Sequence, residues 1–226
     1  MQPQLRIQGT NIVIRGAFNP AIFHPSWLAT QGLIRLQEAD AAEIEIVHPQ
    51  VTIFNAEWLR MAVTVDRFQV ATTQVPYYEF LRDLAVGIFD LLRHTPLTVL
   101  GINQDFHYQL QSESAWHRVG HQLAPKEHWS AVLSGPGMKR LEMQGKRSDD
   151  FKGYILVKVE PSVRVTPHGL YISVNDHYEL PSASESPASA EEAIEILSEQ
   201  WMDSMQRGLQ IAERIVSLGE QDERSQ

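Results

Sequence analysis

Histidines and carboxylates at short, regular spacings are the first residues of this sequence that could do chemistry. His117 and His121 stand four apart in the segment Glu113-Ser-Ala-Trp-His-Arg-Val-Gly-His121. On a helix that spacing puts both imidazoles on one face. His128 follows soon after and His107 precedes them. Neutral imidazoles grouped in this way can bind zinc or another divalent cation, which in turn activates water for a hydrolase or nuclease. The segment departs from the metalloprotease signature, because Arg118 stands where a HExxH motif carries its glutamate. Glu113 is the nearest carboxylate on the same helical face. The competing reading is an amphipathic helix with histidines at its polar border.

A second set lies on strands. Asn103, Asp105 and His107 alternate along the chain, so an extended backbone turns them to one side. An aspartate two residues from a histidine can orient it as a general base. Asn175, His177 and Glu179 make a similar row. Asp105, His107 and His177 are therefore the catalytic candidates, weighed against a solvated strand face or a hydrogen-bonded network. Other chemistries leave no trace. There is no Gly-x-Ser-x-Gly elbow, no GxxxxGK[ST] loop and no GxGxxG turn. In Ser134-Gly-Pro-Gly137, Pro136 lacks an amide that an anion nest would use. The basic residues Lys139, Arg140, Lys146, Arg147 and Lys152 are interleaved with Glu142, Asp149 and Asp150. That near-balance favours a charged hairpin in solvent over a phosphate-binding patch, and nucleic acid is not the expected partner.

These residues need elements to position them. Tyr77 to His94 predicts a helix, with Tyr77, Phe80, Leu81, Leu84, Ile88, Leu91 and Leu92 at spacings of three and four. Leu97 to Leu110 predicts a strand, with Leu100, Ile102, Phe106 and Tyr108 on the face opposite the polar row. Ile12 to Phe18 reads as a first strand. Glu43 to Phe54 and Trp58 to Thr72 read as the arms of a hairpin, the second made irregular at Val65-Asp66. Ser112 to Leu133 reads as two short helices broken at Ala124-Pro125. Met138 to Met143, Tyr154 to Glu160 and Gly169 to Leu180 read as strands, with Gly145 to Lys152 a polar hairpin loop.

The expected fold is α+β: mostly antiparallel sheet built from hairpins, with a long C-terminal helix. Strands grouped without regular helical alternation argue against a doubly wound parallel sheet. A body over residues 1–180 is expected, then a flexible linker over 181–188 and a long acidic amphipathic helix over 189–220. Asn103-Gln-Asp-Phe-His-Tyr-Gln-Leu110 resembles Asn175-Asp-His-Tyr-Glu-Leu180, which raises a second expectation of two related β-β-(α)-β-α halves, 40–133 and 138–218. Coincidence between short strands is the alternative.

Composition narrows the function. Absence of cysteine from the 226 residues excludes disulfides, zinc–thiolate sites, iron–sulfur clusters and a cysteine nucleophile. It fits a cytoplasmic location. No apolar run reaches the roughly 18–20 residues that span a bilayer, and the first residues, with Arg6 and no apolar stretch behind it, do not read as a secretory signal. Most of the formal charge of −9 falls after Ser182. There Ile194, Leu197, Trp201, Met205 and Leu209 make an apolar stripe on the acidic helix. Such a stripe on a flexible leash can pack on its own body, bind a second copy or dock into a partner. The favoured reading is thus a non-enzymatic protein-binding subunit or adaptor of an intracellular, bacterial-type assembly, without cofactor, contacting copies or partners through residues 189–220. The alternative is the metal-assisted hydrolase or nuclease built on the histidines.

Overall fold

The computed structural model describes residues 2–181 and 189–220. The chain runs β1 (Gln4–Gly16), α1 (Pro25–Thr30), α2 (Leu36–Asp40), β2 (Glu43–His48), β3 (Val51–Asn55), β4 (Arg60–Thr64), β5 (Arg67–Thr72) and α3 (Tyr78–Leu91). It continues β6 (Leu97–Gln109), α4 (Glu113–Leu123), α5 (Glu127–Ser130), β7 (Leu141–Lys146), β8 (Gly153–Pro161), β9 (Gly169–Glu179), α6 (Glu191–Glu199) and α7 (Trp201–Ser217). The nine strands form a single sheet in the order β2-β3-β4-β5-β1-β6-β9-β8-β7. Every neighbouring pair is antiparallel, so the fold is the expected α+β with a large antiparallel sheet.

Alternation decides which face is covered. Ile12 and Ile14 of β1, Phe68 and Val70 of β5, Leu100 and Ile102 of β6, and Ile172 and Val174 of β9 all point to the helical side and are buried. Two clusters fill that side. Under α3 and α6 lie Phe23, Phe68, Phe89 and Trp201; under α4 and α7 lie Phe106, Val119, Ile172 and Val216. Each such side chain contributes about 1.5–3 kcal/mol relative to exposure. Among the described residues, no helix packs on the opposite face.

The segment read as one hairpin is a four-stranded meander. Turns at Pro49-Gln50 and Val65-Asp66 divide each arm in two. The single long C-terminal helix is two helices, α6 and α7, which part at Gln200 (φ −99, ψ −4). α6 packs on α3, whereas α7 turns onto β6 and β9, and Trp201 is buried at the bend. The stripe is thereby absorbed. Leu197 and Trp201 are 0% and 1% exposed in the chain's own core, and Ile194 and Met205 pack against it. Only Leu209 of the five stays exposed, at 37%. Leu197 and Trp201 are thus taken up by the chain's own core. The expected linker, residues 181–188, lies outside the described residues apart from Pro181.

Polar chemistry fixes α7. Gly208 lets it approach the sheet, since a Cβ there would lie 2.0 Å from Gln104 Nε2. That buried amide donates to the carbonyl of Ser204 at 2.8 Å. Arg147, read as part of a solvent hairpin, is instead 2% exposed and sits between Asp149 and Asp176. Its guanidinium covers the Tyr178 ring at 3.7 Å, and Arg207 of α7 reaches Asp176 at 2.5 Å.

The two segments aligned in the sequence, 103–110 and 175–180, lie on neighbouring strands but meet only where Asn103 stands opposite Asn175, and run in opposite directions from there. The recurrence in element order starts elsewhere. A central strand, short helices, a meander running from the sheet edge inward, and a helix on the covered face occur once from β1 to α3. They occur again from β6 to α7.

Candidate functional site

The uncovered face gathers the polar rows. β1, β6 and β9 lie side by side, and their registers set Asn11 opposite Asn103 and Asn103 opposite Asn175. The three amides form a ladder. Asn103 Nδ2 donates to Asn11 Oδ1 at 3.0 Å, and Asn175 Nδ2 donates to Asn103 Oδ1. Gly101, next to the ladder, leaves room for it: a Cβ there would meet Asn175 Nδ2 at 3.2 Å.

Toward the far end of β6 the ladder gives way to an acid, an imidazole and a phenol. Asp105 accepts a hydrogen bond from the Tyr171 hydroxyl. His107 stacks on the Tyr171 ring, with centroids 4.7 Å apart. Its Nδ1 lies 2.8 Å from Ser162 Oγ. Ser162 Oγ already accepts from the amides of Arg164 and Val165 at 3.2 and 3.0 Å, so its own hydrogen turns to Nδ1. That fixes the His107 tautomer with the proton on Nε2. Burial lowers the His107 pKa, helped by the Arg164 charge and opposed by Asp105, so the ring is neutral at pH 7. Burial and the bond to Asp105 push the Tyr171 hydroxyl well up, so it stays a donor.

These groups floor a groove of about 610 Å³. Ile7, Gly9, Asn11, Ala71, Asp105, His107 and Tyr171 line its base. One wall is the β3–β4 turn, Asn55 to Arg60, braced by Gln74 Nε2 donating to the Glu57 carbonyl at 2.9 Å. Trp58, stacked on Tyr77 at 5.2 Å, anchors the same turn. The other wall is the end of β8 and the loop after it, with Lys158, Glu160, Pro161, Val163 and Arg164. Lys158 pairs with Glu160 at 3.2 Å and stands over the Tyr171 ring at 4.6 Å. Arg60 pairs outward with Glu45 at 2.5 Å.

Of the expected catalytic residues, Asp105 and His107 meet in this groove, but not as a dyad. Each has its own partner, Tyr171 and Ser162, so the carboxylate does not orient the imidazole. His177 lies level with Gly101 and stacks on Tyr154 at 4.2 Å. Burial lowers its pKa too. The expected metal ligands do not converge. His107 is on the open face, whereas α4, which carries His117 and His121, packs on the covered face through Ala115 and Val119. His117 and His121 face Glu113 and Glu127 at 3.6 and 3.2 Å, and His128 is on α5. Among the described residues, no three His, Cys, Asp or Glu side chains gather to hold a metal ion. Sequence reading missed Ser162, Arg164, Lys158 and Tyr171. Only Tyr171 carried a readable signal, its alternation with Ser173, Asn175 and His177.

No protein-family model matches this chain, and no curated protein matches it. No helix among the described residues is long and apolar enough to cross a membrane.

Proposed function

We propose that this chain is a non-enzymatic, protein-binding subunit of a cytoplasmic multiprotein assembly, and that it takes an extended segment of its partner in the groove on the uncovered sheet face. The observation that carries this reading is the character of the groove floor. It is built on rigid strands and presents amide, phenol and imidazole groups beside Ile7 and Ala71. Directional donors and acceptors interleaved with apolar contacts suit a peptide backbone. The groove volume of about 610 Å³ lies within the roughly 300–1,000 Å³ of binding pockets. Asp105 and His107 are each occupied by a separate protein partner, which supports recognition over proton transfer. The absence of cysteine from the sequence supports the cytoplasmic placement.

The test is selection of peptides from a displayed random library on the full-length chain, repeated with Ala71→Arg. Ala71 lines the groove, so an arginine there fills it without touching the buried core. Selected peptides are expected to bind the unmodified chain and to lose about tenfold or more on Ala71→Arg at unchanged melting temperature. Equal binding to both proteins, or no enrichment, overturns the reading.

A further inference from the structure

The groove carries an uneven set of charges, and the imbalance says which part of a polypeptide it takes. Asp105 Oδ1 accepts from the Tyr171 hydroxyl, and Glu160 pairs with Lys158. Arg164 is different. It lies in the β8–β9 loop on the groove wall, and its guanidinium forms no hydrogen bond or ion pair with the described residues. Its backbone is fixed, because its amide donates to Ser162 Oγ at 3.2 Å. The same Ser162 hydroxyl holds His107 with Nε2 as its N–H donor. That nitrogen makes no hydrogen bond with the described residues, yet it is not among the buried polar atoms left without a partner. It therefore reaches the groove, which His107 lines.

One serine thus positions two donors, a cation that makes no ion pair among the described residues and a neutral imidazole N–H. Resting on the reading of the groove as a peptide site, we infer that Arg164 and His107 bind the terminal carboxylate of the partner, so that the segment held is the end of a polypeptide chain. A guanidinium takes a carboxylate through paired N–H donors, and a neutral N–H adds a third bond without a proton to displace. Ile7 lies under the last side chain, and Asn11 is on the floor for the preceding backbone. Glu57 on the far wall keeps a second anion from settling there and sets the direction of entry.

The test uses the full chain and two pools of random N-acetylated hexapeptides, one ending in a free carboxylate and one in a carboxamide. Binding is read by affinity selection with mass spectrometry and then by anisotropy on the retained sequences. Free-carboxylate peptides are expected to bind about tenfold or more tightly than their amides. Arg164→Gln is expected to bring them down to the level of the amides, whose own binding it lowers far less. Arg164→Lys is expected to recover part of the difference. His107→Gln, which keeps an N–H donor, is expected to cost less than Arg164→Gln. Equal binding of both pools overturns the carboxylate assignment and leaves the peptide reading standing, with an internal segment as ligand. Failure of both pools to bind overturns both.

Discussion

The two halves of the sheet follow similar orders of elements, a four-stranded meander in one and a three-stranded one in the other, and differ in what is added to their apolar cores. In the half from β1 to α3, the helix is sealed by rings. Phe18, Phe23, Phe68 and Phe89 contact one another at centroid separations of 5.0 to 6.4 Å. The half from β6 to α7 has an apolar cluster of its own and adds an ionic one: Arg147, Asp149, Asp176 and Arg207, with the Arg147 guanidinium over the Tyr178 ring. The centre of the sheet keeps a local echo of the likeness. Gly9-Thr10-Asn11 in β1 and Gly101-Ile102-Asn103 in β6 run antiparallel, with Asn11 opposite Asn103. The difference teaches that one architecture tolerates a dry seal or an ionic one. The ionic seal is the more specific, because each of its members depends on the others.

The largest effects test that dependence. Asp176→Ala leaves Arg147 buried without its central partner and is expected to cost about 3–5 kcal/mol. Phe68→Ala in the other half opens a cavity and is expected to cost a similar amount, about 3–5 kcal/mol. Urea unfolding measures both. The combination with Arg147→Met separates the chemistries. Together with Asp176→Leu it removes both charges, and it is expected to lose far less than Asp176→Ala alone. If the double variant is as unstable as the single one, the seal works by shape rather than by charge.

Glycines in the two covering helices give a smaller contrast. A Cβ at Gly208 in α7 would press on Gln104, whose amide is buried and bonded to the Ser204 carbonyl. Gly208→Ala is therefore expected to break that bond and cost about 1–3 kcal/mol. A Cβ at Gly87 in α3 would meet only the terminal Cδ2 of Leu33, at 2.6 Å. That methyl can swing aside, and alanine gains helix propensity of up to about 1 kcal/mol. Gly87→Ala is expected to be near neutral or stabilising in thermal melts. Equal losses at both positions would remove the distinction between a locked and an adjustable helix contact.

The same contrast explains what the sequence could disclose. The helix over α3 and the two faces of β6 were legible because apolar periodicity there reports burial directly. The turn at Pro49-Gln50 was hidden, since Glu43 to Phe54 is rich in β-branched residues on both sides of it. The bend at Gln200 was hidden too, because no glycine or proline marks it and the cause is non-local: two helices packing on different neighbours. Arg147 reads as a solvent residue in a polar turn until Asp176, nearly thirty positions away, is brought beside it. The rows at Asn103 to His107 and at Asn175 to His177 could each be read. Their meeting at Asn103 and Asn175 could not, because strand register over long separations is set by the whole sheet. Ser162 and Arg164 carried no pattern at all.

The smallest effect concerns protons, and it too divides the halves. The open face of the first half carries no histidine on β1, β3, β4 or β5, whereas the second half has His107 on β6 and His177 on β9. Burial lowers both pKa values below the ordinary value of 6.5. The unfolded chain therefore binds protons at these sites more readily than the folded one. Their contribution to stability is complete above about pH 6.5 and is lost as the pH falls toward the lower folded values. For His107 the neighbouring charges are Arg164, which strengthens the effect, and Asp105, which weakens it. The melting temperature is expected to fall between pH 7.5 and 5.5, and the fall is expected to shrink in a His107→Gln, His177→Gln double variant. Hydrogen exchange should localise it: amides of β6 and β9 are expected to lose protection at pH 5.5 before those of β3 and β4. Uniform loss across the sheet would mean that the acid response belongs to the carboxylates of the whole chain and not to the histidine-bearing half.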